Sequence, residues 1–194
     1  MILKPNRATC RPYLERLLPA YLDYVENVSS PAHALSVETG ALMWWLCDQI
    51  KAESVCDLGS GFSSFVLHAY ATTSGATVTS VDTDPEWLDK TRTFLADVEA
   101  PTDGLISLDD WQSSIVDSYD LILNDLAGGE FRISTYGETL DRLNPGGVAI
   151  FDDAQFSPHR TAMCVAAGER DLQMIDVWGA TFDPIGRFAV MVLK

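Results

Sequence analysis

The run Val55-Cys56-Asp57-Leu58-Gly59-Ser60-Gly61-Phe62-Ser63 constrains this chain more than any other stretch. It reads as a short apolar strand, an acid at the strand's end, a glycine-hinged turn, and a helix from Ser64 to Tyr70 and a little beyond. Glycine permits a tight turn and close approach of a ligand, because no Cβ stands in the way. A helix that starts at such a turn directs free N–H groups at whatever lies over it. Asp57, just before the first glycine, is expected to face the same cavity with its carboxylate. That combination suits a ligand with a cationic amine and a nucleoside better than a bare pyrophosphate.

From this run onward the chain alternates between strands and helices. Strands are predicted at Ser54–Leu58, Thr77–Asp82, Leu105–Leu108, Leu121–Asn124 and Val148–Phe151. Helical segments separate them at Ser64–Ala71, Pro85–Val98, Trp111–Val116 and Phe131–Arg142. Apolar, β-rich strands in alternation with helices indicate a parallel sheet covered on both faces. After Ser157-Pro158, expected as N-cap and first helical position, a helix runs to about Arg170. Leu172–Val177 and Phe188–Leu193 are the last strands, joined as an antiparallel hairpin through the loop Gly179–Gly186.

The first third of the chain lies outside this alternation. Residues 11–27 place Tyr13, Leu14, Leu17, Leu18, Tyr21, Leu22 and Val25 at helical spacing, with Pro19 expected to bend or split the helix. Ser36 or Thr39 starts a second helix carrying Leu42, Met43, Trp45, Leu46 and Ile50. We read residues 1–34 as a helical cap over the ligand cavity and residues 35–194 as the α/β unit, together one compact domain. The cap aromatics Tyr13, Tyr21, Tyr24, Trp44 and Trp45 wall a pocket or pack in the core, and exposed aromatics there would support a homodimer.

At 194 residues, 47% hydrophobic and 21% charged, the chain is of single-domain size and ordinary globular composition. A formal net charge of -15 repels phosphate backbones and anionic lipid heads, which disfavours nucleic acid and membrane surfaces as partners. Cys10, Cys47, Cys56 and Cys164 show no C-x-x-C spacing and read as reduced thiols. No apolar run approaches the roughly 18 residues of a bilayer span, and Met1–Pro5 carries no signal-peptide pattern. A cytoplasmic protein is expected.

Taken together, these motifs resemble a class I S-adenosylmethionine-dependent methyltransferase. Asp57-Leu58-Gly59-Ser60-Gly61 is similar to the family's acidic-x-Gly-x-Gly loop, and Val78 to Glu86 to its second strand ending in an acid. Tyr119 to Asp125 resembles the fourth strand and its active-site end, and Leu143-Asn144-Pro145-Gly146-Gly147 the turn before the fifth. The resemblance implies a Rossmann-like, doubly wound, seven-stranded sheet with one antiparallel strand, and the cofactor across the strands' C-terminal ends.

It also implies roles. Gly59 and Gly61 pass close to the cofactor beside Ser60, Asp57 faces its amino-acid portion, and Asp82 accepts from both ribose hydroxyls. Asp109 or Asp110 lies near the adenine amine, with Trp111 a candidate to pack on the base and Asn124 at the active-site end of the fourth strand. Ser63 stands where many members have a third glycine.

Adenosylmethionine carries its own activated methyl, so the protein must align a nucleophile and, for a hydroxyl acceptor, handle a proton. Asp125, Asp152 and Asp153, at adjacent strand ends, are the candidate catalytic acids. Three carboxylates suit magnesium or a similar hard divalent cation, and their placement resembles the catechol O-methyltransferase-like branch. The same acids also fit a metal-free role in orienting substrate. Gly128 stands where that branch carries a lysine. His159 is a candidate base at the start of a helix, whereas His68 reads as structural and His33 as a loop histidine bordering the entrance. The resulting expectation is methyl transfer to a small molecule, most readily at oxygen. The rivals are an NAD(P)-dependent oxidoreductase, disfavoured because the third fingerprint glycine falls at Ser64, and a non-catalytic scaffold with the same fold.

Overall fold

The structure, a computed structural model, describes residues 3–114 and 118–194. Strand β1 (Ser54–Leu58) is central, flanked by β2 (Thr77–Asp82) and β3 (Leu105–Ser107) on one side and β4 (Tyr119–Asn124) and β5 (Leu143–Phe151) on the other. These five run parallel. The final hairpin, β6 (Gln173–Asp176) and β7 (Val190–Leu193), adds with β7 antiparallel against β5. The sheet is seven-stranded, ordered β3-β2-β1-β4-β5-β7-β6, which is the methyltransferase Rossmann-like arrangement expected from the sequence.

Register decides what meets at the sheet's edge. Leu58 pairs with Val81 on one side and Asn124 on the other, and Asn124 pairs with Phe151. The next residues along each strand, Gly59, Asp82, Asp125 and Asp152, therefore share one edge. Apolar triplets such as Leu121-Ile122-Leu123 make this possible by burying both faces. Alternate side chains enter opposite cores. Val55, Leu121 and Leu123 join helices α1 (Arg7–Asn27), α2 (Val37–Ile50) and α3 (Phe62–Ser74), with Phe94 of α4 (Pro85–Asp97). Cys56 and Ile122 join α5 (Leu108–Ser113), α6 (Gly129–Asp141) and α7 (Ser157–Gly168).

Several boundaries differ from expectation. Helix α1 runs unbroken through Pro12 and Pro19. Both prolines, and the Ala8 and Glu15 carbonyls that lose an N–H partner, lie on the solvent face, where water replaces the bond. The buried stripe Cys10, Leu17 and Tyr24 lies elsewhere on the helix. Ser36 caps α2, and α5 starts before Trp111 because Ser107 accepts the Asp110 N–H. Val116, the expected end of that segment, lies outside the described residues. The N-cap of α7 is Phe156, with Ser157 already helical. The hairpin connection contains a one-turn helix, α8 (Trp178–Thr181).

The expected cap is continuous with the main core. Tyr24, Trp44 and Trp45 are buried in it, and Tyr13 donates to Asp48, so these aromatics lend a homodimer no support. Among the described residues no disulfide forms; Cys10, Cys47 and Cys56 are buried and Cys164 is exposed. Among the described residues no helix is long and apolar enough to cross a membrane.

Candidate active site

A cavity of about 880 Å³ opens along the strand edge. Gly59 to Ser63, Asp82 to Asp84 and Trp87 form one half, and Asp125, Ala127, Arg132, Asp152, Asp153 and Arg187 the other. The segment from Val28 to Leu35, between α1 and α2, and Tyr24 line it from the cap side. Arg187 ties that segment down, donating to the carbonyls of Ala32 and, at 2.8 Å, Ala34 while its Nε holds Asp183 at 2.8 Å.

The glycine-loop half follows from local sequence. Gly59 has φ +107°, and a Cβ there would stand 2.5 Å from the Asp125 carbonyl oxygen. Gly61 has φ +151°, and its Cβ would meet the Tyr24 hydroxyl at 2.8 Å. Glycine is required here as much by the protein's own closeness as by any ligand. Asp82 closes this half: its Oδ2 accepts from Ser60 N at 3.0 Å and Ser60 Oγ at 3.2 Å, and its Oδ1 from Asp84 N at 3.1 Å. Burial raises its pKa against those bonds. Trp87, which no motif flagged, donates to the Ser60 carbonyl at 2.6 Å and lines the cavity.

Other expected cofactor residues turn away from the cavity. Asp57 is fully buried, its Oδ2 accepting from Ser63 Oγ at 2.8 Å and Ser64 Oγ at 2.9 Å, its Oδ1 from Ser80 Oγ. Burial lifts its pKa to about 6 although all three hydroxyls pull it down. It pins the glycine loop to β2 and is absent from the lining. Ser63 does line the cavity while holding Asp57 and the Gly59 carbonyl. Asn124 is also fully buried and donates to Thr135 at 2.9 Å and Thr139 at 2.8 Å, fastening α6 to β4. Asp110 caps its own helix through Ser107, and only Asp109 borders a small cleft beside Asp82. Trp111 is a core residue, fully buried with the Arg142 guanidinium 4.0 Å over its ring. None of Asp57, Asn124, Asp110 and Trp111 lines the cavity.

In the other half the strand-end carboxylates gather around a residue that sequence reading missed. Arg132 of α6 is buried, its Nη1 2.9 Å from Asp125 and 2.7 Å from Asp153. Its Nε donates to the Leu126 and Ala127 carbonyls, each at 3.1 Å, and its Nη2 also donates to Ala127. Burial raises the Asp125 pKa well above its ordinary value, Asp152 adds to this, and Arg132 opposes it. Asp152 is 2% exposed and its Oδ1 has no hydrogen-bond partner. Burial and the charge of Asp153 lift its pKa to about 6, with Arg187 opposing. The one sequence signal for Arg132 is scarcity: a chain with 13 basic and 28 acidic residues sets an arginine in the helix that follows a strand-end acid.

This arrangement lends the expected magnesium site at Asp125, Asp152 and Asp153 no support. Among the described residues no group of three or more His, Cys, Asp and Glu is disposed to hold a metal ion. The physical reason is the guanidinium already lodged between Asp125 and Asp153. His159, the candidate base, is 8% exposed, meets the Tyr136 hydroxyl at 2.9 Å, and is not part of the lining. Burial and then Arg132 lower its pKa, and its ring sits behind Tyr136. His33 does line the cavity, its Nδ1 3.1 Å from Ser30 Oγ.

No protein-family model and no curated protein matches the chain. Solved structures do. Cofactor-bound Rv0187 from MTB is 18% identical with TM-score 0.70, the match covering 98% of each chain. An O-methyltransferase from Bacillus cereus in complex with SAH is 18% identical with TM-score 0.66, over 100% of this chain and 94% of that one. The O-methyltransferase TomG from Streptomyces achromogenes, in complex with SAM, is 14% identical with TM-score 0.62, over 100% and 91%. At such identities the likeness establishes a shared fold over essentially the whole chain.

Proposed function

We propose that this protein transfers the methyl group of S-adenosylmethionine to a small-molecule acceptor, at oxygen. The observation that carries the reading is the division of one cavity into a ribose-suited half at Asp82 and an acid-lined half at Asp125, Asp152 and Asp153. Bound there, the cofactor supplies an activated methyl on a sulfonium.

The residues present fit it. Asp82 still has acceptor capacity beyond its bonds to Ser60 and Asp84, which suits a pair of hydroxyls. The N-terminus of α3, at Gly61 to Ser63, lines the same cavity and suits a carboxylate. The carboxylates of the acceptor half favour a cationic ligand centre. Asp152, which lines the cavity with a pKa of about 6, is the best-suited group to take a proton from the acceptor hydroxyl near neutral pH. The volume is near the upper end of the roughly 300–1,000 Å³ of small-molecule sites, and the net charge of -15 disfavours polyanionic substrates.

The open cleft speaks against a scaffold whose cap fills it. Against the oxidoreductase, Ser64 is fully buried and spends its hydroxyl on Asp57 and on the Gly61 N–H. Asp57 does not count against it, because that carboxylate does not face the ligand. Calorimetric titration of S-adenosylmethionine into the purified chain tests the reading. Saturable binding that Asp82→Ala weakens is expected. NADH binding without S-adenosylmethionine binding would reverse it.

A further inference from the structure

We infer that Arg132 is the resident cation of this site, standing where a divalent ion would have to sit, and that the protein works without one. What the site is for rests on the methyl transfer proposed above. Whether a metal binds there is a separate question.

A divalent ion shared by Asp125 and Asp153 would take oxygens at about 2.0–2.6 Å. A single nitrogen, Arg132 Nη1, already lies within hydrogen-bond distance of Asp125 Oδ1 and Asp153 Oδ2, so ion and nitrogen would compete for the same space. The guanidinium cannot swing aside cheaply. Its Nε and Nη2 are held by main-chain carbonyls, and only 7% of its side chain is exposed. The backbone is shaped around it as well. Ala127 and Asp153, both acceptors of Arg132, have φ +46° and +60°, a region that non-glycine residues enter only at a cost. Charge-assisted bonds to a buried arginine offset that cost.

An arginine also differs from a metal in kind. Its charge is permanent at accessible pH, and its planar fork binds carboxylates with fixed geometry. It therefore sets one permanent positive charge between Asp125 and Asp153 at every metal concentration, and leaves Asp152 as the carboxylate with an unpartnered oxygen. In this role Arg132 is a positioning residue: it orients the acids of the acceptor half and supplies the positive charge there.

The test is titration of magnesium and manganese chloride into the intact, metal-free protein, by calorimetry and by thermal melting, without cofactor. Wild-type protein is expected to show no saturable binding and no shift in Tm. Arg132→Ala removes the guanidinium and is expected to gain manganese affinity by at least about tenfold, with Tm rising as metal is added. Arg132→Lys, which keeps the charge, is expected to stay metal-indifferent. Saturable binding of one ion to wild type, lost in Asp125→Asn, would overturn the inference. So would an Arg132→Ala protein that melts cooperatively yet gains no affinity. Should Arg132→Ala not fold, the wild-type titration and its Asp125→Asn control decide alone. Loss of S-adenosylmethionine binding, measured separately, would sink the functional reading and leave this result standing.

Discussion

The two sides of the strand edge hold their carboxylates in different ways. On the glycine-loop side Asp57 is surrounded by the neutral hydroxyls of Ser63, Ser64 and Ser80 and is driven toward its protonated form. On the acceptor side Asp125 and Asp153 are held by the guanidinium of Arg132. The first solution is built mainly within one strand–turn–helix segment. The second needs β4, β5 and α6 to arrive together. Neutral hydroxyls make a structural pin, whereas a guanidinium sets a permanent positive charge between the acids it holds.

Gly59 is where the halves touch, so its substitution should have the largest effect. Gly59→Ala places a methyl against the Asp125 carbonyl at positive φ. We expect a loss of roughly 3–5 kcal/mol in denaturant unfolding, the sum of backbone strain and overpacking, and collapse of ligand binding on both sides. An unaffected acceptor side would break the idea that one backbone contact couples them.

The pH dependence of stability sharpens the contrast. Asp57 and Asp152 have folded pKa values of about 6, above the ordinary carboxylate value. Each therefore adds stability that is fully present below the unfolded pKa and is lost as pH rises through about 6. Asp120, Asp141 and Asp176, held low by their partners, act oppositely and lose their contribution on acidification. Urea unfolding across pH should place the maximum on the acid side of neutrality. Asp57→Asn should remove on the order of 2–3 kcal/mol of the decline between about pH 4 and 7. An unchanged profile would mean the hydroxyls keep Asp57 ionised.

Asp82→Ala should cost about 2 kcal/mol of S-adenosylmethionine affinity, roughly a thirtyfold rise in Kd, since bonds to a charged acceptor are lost. The fold should survive, though Ser60 loses a partner. Trp111→Phe should do least. With the indole in the core, stability falls by about 1 kcal/mol and Kd does not move. A changed Kd would restore Trp111 as a base platform.

Much of the fold was legible because it is written in short-range patterns. Alternating apolar strands and amphipathic helices, with glycine and proline as punctuation, yielded the parallel sheet and its antiparallel hairpin. Pro19 misled because the pattern does not say which face of α1 meets water. The start of α5 was missed because an N-cap is visible only when a hydroxyl, here that of Ser107, meets the Asp110 N–H. In the site, Gly59, Gly61, Asp82, Asp125, Asp152 and Asp153 were all legible as strand-end residues, and all line the cavity. Asp57 and Asn124 stand at the same edge in sequence, yet period-two geometry turns their side chains into the protein.

The sequence by itself determined the sheet, the glycine loop and the row of acids at strand ends, because periodicity and turn chemistry act over a few residues. Only the tertiary structure decided which acids face the ligand and what neutralises them. A carboxylate's direction depends on strand register. Its partner, Arg132, comes from a separate helix whose approach is fixed by packing. Electrostatic compensation is a property of space, and distance in space is what a linear pattern does not encode.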